Sequence, residues 1–181
     1  MKKAFISAVL CSVLVPISVF AAGQEYGLRK GLSAFSTTGF YFHIHDTIDS
    51  DYGSFSGSLI PIGTSFGYSI GPAFFGAGFE YLAGLDDYES LASVYYESRF
   101  FFSPNSDLSP CVSIAVGPHF LTDYVGVMVN IGGGVDYRLN SNYGGYAEFG
   151  YLGVLPDVWW AQDYSYWIGN LGFRVGVAAT F

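Results

Sequence analysis

Trp167-Ile168-Gly169-Asn170-Leu171-Gly172-Phe173-Arg174-Val175-Gly176-Val177-Ala178-Ala179-Thr180-Phe181 is the stretch whose reading decides the fold. Its odd-numbered positions (Trp167, Gly169, Leu171, Phe173, Val175, Val177, Ala179 and Phe181) carry nearly all of its bulky apolar side chains. Between them stand Ile168, Asn170, Gly172, Arg174, Gly176, Ala178 and Thr180, mostly smaller or more polar. Successive side chains of an extended strand point to opposite faces, so one face suits hydrocarbon and the other a packed polar interior. The chain ends on the hydrocarbon side. Inside a bilayer every strand edge must be paired, and with strands only a closed barrel achieves that. The stretch therefore reads as the last strand of a transmembrane β-barrel.

The other end of the chain agrees. Met1-Lys2-Lys3 is a short basic start, Ala4 to Phe20 is an apolar run, and Val19-Phe20-Ala21-Ala22 follows. These are the three parts of a cleaved secretory signal peptide, with Val19 and Ala21 at the small-residue positions. Cleavage after Ala21 divides the chain into a signal peptide, 1–21, and one domain, 22–181. A membrane anchor is the alternative, but the run is short for the roughly 20 residues of a spanning helix. Leu10, just before Cys11, is too large for a lipoprotein site. Beyond the leader a single cysteine remains, Cys111, so the expected fold does not depend on an internal disulfide.

Composition supports the same class. Aromatics make up 19% of the residues, glycine contributes 24 of them, and charged residues only 12%. A globular domain typically carries about 25% charged residues. A soluble Tyr/Gly-rich β-sandwich is the competing class, and it would carry more charge. Past the leader the basic residues are Arg29, Lys30, Arg99, Arg138 and Arg174, against 15 Asp and Glu. Nucleic-acid binding needs a basic footprint and is excluded.

Period-2 alternation and turn chemistry predict eight strands. They run about 35–45, 55–70, 73–83, 92–102, 111–119, 125–139, 143–152 and 167–181, with residues 22–34 a tail or an earlier start to the first strand. Fusion of two segments would make the count ten. Ile62, Phe66, Phe79, Tyr81, Val94, Tyr96, Val112 and Phe149 belong to the outer face by this parity. Gly71-Pro72 and Asn140-Ser141-Asn142 are short turns, and Ser103 to Pro110 is a moderate polar turn. The other connections alternate with these and are mostly longer, which matches short periplasmic turns and longer extracellular loops.

The same parity places Glu80, Glu97, Arg99, Asp136, Arg138, Glu148 and Arg174 inside. An unpaired buried charge is costly, so these residues are expected to form a hydrogen-bonded ion network. An eight-stranded barrel is just wide enough for its own side chains, which argues against a general diffusion pore.

The outward loops carry Asp46, Asp49, Asp51, Asp86, Asp87, Glu89, Asp123, Asp157 and Asp163, and no Lys or Arg. This acidic rim is expected to be solvated. Its functional reading is capture of divalent cations, which take carboxylate oxygens, or of a basic surface partner. No EF-hand spacing is present. His43 and His45 stand at i, i+2 and so share an inward face, with His119 at the same parity near the end of the fifth strand. They read as polar lining rather than a metal site, because the first and fifth strands lie on opposite sides of such a barrel. Trp159, Trp160, Tyr164, Tyr166 and Trp167 fit an interfacial aromatic girdle. The sequence contains no His-x-Ser segment and no specific Ser–His–acid set of the kind a hydrolase needs. The expectation is a non-enzymatic chain with no cofactor.

These features resemble the small outer-membrane β-barrel proteins, the broad OmpA/OmpX-like group. The resemblance rests on the leader, the eight alternating segments and the tail ending in Arg174, Gly176, Ala179 and Phe181. That tail resembles the signal read by the barrel-assembly machinery. The group implies an outer-membrane location, contact with outer-membrane lipid and lipopolysaccharide, and a role in envelope integrity, adhesion or host-surface contact. A lipid-A-modifying enzyme or a narrow small-solute channel is the alternative. The resemblance is one of architecture, and a fold hosts many functions.

Overall fold

A computed structural model describes residues 30–46, 57–86, 90–120, 125–140, 142–155 and 167–181, without the side chains of residues 45, 46 and 86. The expected signal peptide, 1–21, and most of the acidic rim lie outside these residues. Eight antiparallel strands follow one another in chain order: β1 (Lys30–Asp46), β2 (Gly57–Ile70), β3 (Ala73–Asp86), β4 (Leu91–Phe101), β5 (Leu108–Phe120), β6 (Val125–Arg138), β7 (Tyr143–Leu155) and β8 (Ile168–Thr180). Each pairs with the next, and β8 returns to β1, closing the barrel. The seam runs from Ser33↔Thr180 through Phe40↔Phe173 to Asp46↔Ile168. Closure leaves no unpaired strand edge, which is the condition for spanning hydrocarbon with strands.

The side chains are sorted by face as alternation requires. Leu32, Ile62, Phe66, Phe79, Phe149, Phe173, Val177 and Phe181 are exposed on the outside. Ser33, Thr37, Ser65, Ser69, Glu80, Glu97, Arg99, Asn130 and Arg174 are buried within. The arrangement inverts that of a water-soluble domain and suits a surface that faces hydrocarbon.

The strand ends differ from the expected ones in instructive places. β1 begins at Lys30, which resolves the tail-or-strand alternative toward an earlier start. β5 begins at Leu108, inside the stretch expected to be a turn. Pro110 does not prevent this, because proline loses a donor and keeps an acceptor: its carbonyl accepts from Phe102 N at 2.9 Å, and Pro110 keeps register with Val135. Along β1 the register against β8 slips between His43 and His45. A bulge of this kind breaks strict alternation, so i, i+2 spacing does not establish a shared face for these two histidines.

Residues 71–72, 102–107 and 139–142 connect strands at one end of the barrel, and residues 47–56, 87–90, 121–124 and 156–167 at the other. We refer to these as the short-turn end and the long-loop end. The tightest connection relies on Gly71, whose φ of 55° lies in the left-handed region that favours glycine.

Candidate functional site

The barrel interior is filled in layers. Nearest the short-turn end, Phe35, Phe74, Phe101, Cys111, Tyr146 and Ala178 form an apolar cluster. Toward the long-loop end Tyr41, Leu59, Leu82, Leu91, Tyr95, Met128, Leu152, Val154 and Ile168 belong to a second one. Charged side chains stand between them, held by residues from five strands.

Arg99 on β4 is the hub. Its Nη2 and Nε donate to Glu97 Oε1 at 2.7 and 3.0 Å, and its Nη1 donates to Glu148 Oε1 on β7 at 2.7 Å. The other Glu148 oxygen accepts from Arg174 Nη2 on β8 at 2.8 Å, and the other Glu97 oxygen accepts from Ser65 Oγ on β2 at 2.6 Å. Arg174 Nη2 also reaches Ser113 Oγ on β5 at 3.3 Å. Every charged side chain in this chain of contacts is at most 4% exposed. The Arg99 guanidinium carbon lies 4.6 Å from the centroid of the Phe35 ring and 4.2 Å from that of Tyr146. Two aromatic faces thus add cation–π attraction to the ion pairs.

Two further links tie distant strands together. Asn130 Nδ2 on β6 donates to Tyr41 Oη on β1 at 2.6 Å. The Tyr146 hydroxyl bonds the Thr37 hydroxyl and donates to the Ser36 carbonyl at 3.0 Å. These links and the aromatic clamp are not visible in the alternation pattern, although the inward parity of Tyr41 and Tyr146 is. Trp167 Nε1 donates to the Tyr151 hydroxyl, and their rings stack with centroids 6.4 Å apart.

The expected interior set divides in the structure. Glu97, Arg99, Glu148 and Arg174 are joined directly. Glu80 is fully buried, on β3, without a hydrogen bond to either carboxylate oxygen. Asp136 is buried nearer the short-turn end, in register with Tyr146 on β7 and Ser109 on β5. Arg138 departs from the expected network: it is only half-buried, and its Nη2 donates to the Pro104 carbonyl in the β4–β5 turn at 2.7 Å. The last inward position of β6 sits at the barrel mouth, too far along the strand to reach the central carboxylates.

Of the rim acids, Asp46 ends β1 and Asp86 ends β3, both at the long-loop end. Asp49, Asp51, Asp87 and Glu89 lie outside the described residues, as do Asp123, Asp157, Asp163, Trp159, Trp160, Tyr164 and Tyr166. Among the described residues no three His, Cys, Asp or Glu side chains are grouped for a metal ion. His43 pairs in register with Asn170 on β8, whereas His119 pairs with Ser93 on β4 and Gly126 on β6. In the tail, Arg174 belongs to the ion cluster, Gly176 lies against Ser36 and Tyr146, and Phe181 is exposed. The Phe181 backbone N donates to the Leu32 carbonyl at 2.8 Å.

Glu80, Ser93 and His119 are an acid, a hydroxyl and an imidazole on consecutive strands. Their order is not that of a hydrolytic triad. A triad needs the imidazole between acid and hydroxyl, so that the base is both oriented and in reach of the nucleophile. Here Ser93 separates the other two, and all three are 0% exposed.

No family model matches the chain, and no curated protein matches it. Solved structures do. The crystal structure of Neisserial surface protein A aligns with a TM-score of 0.56 at 16% identity, covering 83% of this chain and 96% of that one. The outer membrane enzyme PagL aligns with a TM-score of 0.51 at 13% identity, covering 80% of this chain and 97% of that one. The N-terminal β-barrel domain of OprF from Pseudomonas aeruginosa aligns with a TM-score of 0.48 at 18% identity, covering 82% and 98%. At these identities the likeness is one of fold: the chain has the architecture of the small eight-stranded barrels of bacterial outer membranes.

Proposed function

We propose that this protein is a non-catalytic integral outer-membrane barrel with a plugged interior, acting in envelope integrity or surface contact through its acidic long-loop end. The observation that carries this reading is the filled lumen. An ion cluster at most 4% exposed is stacked between two apolar clusters, one on each side. Eight strands leave room for little else. In this reading the long-loop end is extracellular and the short-turn end, with the C-terminus, periplasmic. Lipid and lipopolysaccharide surround the apolar exterior, and the Arg174, Gly176, Ala179, Phe181 tail addresses the barrel-assembly machinery. Activity then resides where the strands deliver Asp46 and Asp86 and where Asp49, Asp51, Asp87 and Glu89 follow in sequence. Carboxylates in that setting suit divalent cations or a basic partner.

Two measurements test it. Protein refolded in detergent and incubated with lipopolysaccharide should leave the lipid A mass spectrum unchanged, and altered acyl chains would sink the non-catalytic reading. Replacing Asp46, Asp49, Asp51, Asp86 and Asp87 by Asn should abolish any rise in melting temperature caused by divalent cations. A rise that persists would discard the rim as a cation site.

A further inference from the structure

Glu80 on β3 pairs in register with Ser93 on β4, and Ser93 pairs with His119 on β5. All three are 0% exposed. Both Glu80 carboxylate oxygens, Ser93 Oγ and both His119 ring nitrogens lack a hydrogen bond of normal geometry, although the Val127 backbone is near enough to His119 to act on it. Buried polar atoms are nearly always satisfied, and a run of them on one row marks a place where water or a proton completes the set.

The surrounding charges sharpen this. Glu80 is faced by Arg174 from β8, by Glu97, Arg99 and Tyr95 from β4, by Glu148 from β7 and by Tyr41 from β1. Both arginines are committed elsewhere. Arg99 is held by Glu97 and Glu148, and Arg174 by Glu148 and Ser113. Glu80 is left as a carboxyl group surrounded by protein with no direct partner. An ionised carboxylate in that position is costly, and a bound proton removes the cost.

Geometry supplies a route as well as a site. Glu80 lies midway along β3, whereas His119 is the penultimate residue of β5, at the long-loop end. The row therefore climbs from the ion cluster toward the long-loop mouth. Glycine at position 126 makes room for the imidazole, since a Cβ there would stand 2.6 Å from His119 Nε2. The ring thus lies against β6, while Ser93 Oγ on the other neighbouring strand is left without a hydrogen bond, the condition that a bridging water relieves. A hydroxyl donates and accepts, and a neutral imidazole does both through its two nitrogens, so each station passes on one proton as it takes one up.

We propose that Glu80 holds one exchangeable proton, delivered from the long-loop end through His119 and Ser93 by way of ordered water. At each station one N–H or O–H bond forms as another breaks, and the proton ends on the Glu80 carboxylate to give the neutral acid. No electrons change hands.

Infrared spectroscopy of the full chain refolded in detergent micelles tests this through the carbonyl stretch of a neutral carboxylic acid. At neutral pH the native sequence should show such a band, and Glu80→Gln should lose it. Ser93→Ala and His119→Gln should keep the band but slow its shift on transfer to D2O by roughly tenfold or more. Absence of the band in the native sequence, or its survival in Glu80→Gln, would overturn the site. Unchanged exchange in Ser93→Ala would overturn the route, and this small substitution carries that test even where His119→Gln fails to close the barrel.

Discussion

Arg99 on β4 reaches across the barrel to Glu148 on β7, Nη1 to Oε1 at 2.7 Å, with the Tyr146 ring 4.2 Å from its guanidinium carbon. The two side chains come from strands that share no backbone ladder. Their pairing therefore forms only when the sheet has curled into a cylinder, and it registers the two halves of the barrel against each other. Glu148 also holds Arg174, so a single carboxylate connects three strands.

Removing Glu148 should accordingly be worse than removing either arginine's other contacts. Glu148→Ala takes from Arg174 its hydrogen-bonded carboxylate and from Arg99 one of two, and breaking one buried pair costs about 3–5 kcal/mol. Unfolding in urea from detergent or lipid vesicles should show a loss at least that large. Replacing Glu97, Arg99, Glu148 and Arg174 together by Leu and Met should recover much of it, because removing the whole linked set leaves none of its charges stranded. Equal losses for the single and quadruple variants would contradict the network.

Gly176 should tolerate no side chain. A Cβ there would collide with the Ser36 carbonyl of β1 and stand 2.6 Å from the Tyr146 ring. The obstacle is partly backbone, so it cannot rotate away. Gly176→Val should destabilise the closing β8–β1 seam by about 1–3 kcal/mol, the usual range for overpacking. Heat-modifiable migration in gels should disappear at a lower temperature than for the native sequence. An unshifted transition would mean the seam is looser than described.

The Tyr41–Asn130 bond spans the barrel from β1 to β6 at 2.6 Å. Tyr41→Phe removes the acceptor and leaves the buried Asn130 amide without it. The expected cost is about 1–3 kcal/mol, the penalty of an unsatisfied buried polar group. Adding Asn130→Leu should offset part of that cost, and a purely additive double variant would argue that the bond contributes little.

Phe181 is 73% exposed, and its backbone is tied to Leu32. Truncating it removes a lipid-facing aromatic and the proposed end of the assembly signal without disturbing the interior. Membrane insertion in cells should fall severalfold, while protein refolded in detergent should melt within a few degrees of the native chain. Equal insertion in cells would remove Phe181 from the assembly signal.

The faces of the strands were legible in the sequence because backbone geometry enforces them. Once Phe79 and Tyr81 are outside, Glu80 must be inside, whatever its partners. Partner choice was not legible, because the tilt and stagger of the strands decide which inward residues meet. Arg138 has the right parity but stands at the mouth and bonds Pro104, whereas Arg99, two residues from the end of β4, reaches inward to Glu97 and Glu148. Local irregularity hid two further points. Pro110 looked like turn chemistry yet lies in β5, and the register slip between His43 and His45 undoes their simple alternation. The Glu80, Ser93, His119 row needed three registers at once, which no single segment contains.

Single-channel recording in planar bilayers tests the central claim, a lumen plugged by its own side chains, most directly. The refolded native chain should show no large, steady conductance, since the Arg99 and Glu148 side chains at its centre are each 1% exposed. Replacing Arg99 and Arg174 together by Ala should open intermittent conductance if the barrel still closes. Large, steady conductance from the native chain would contradict the account.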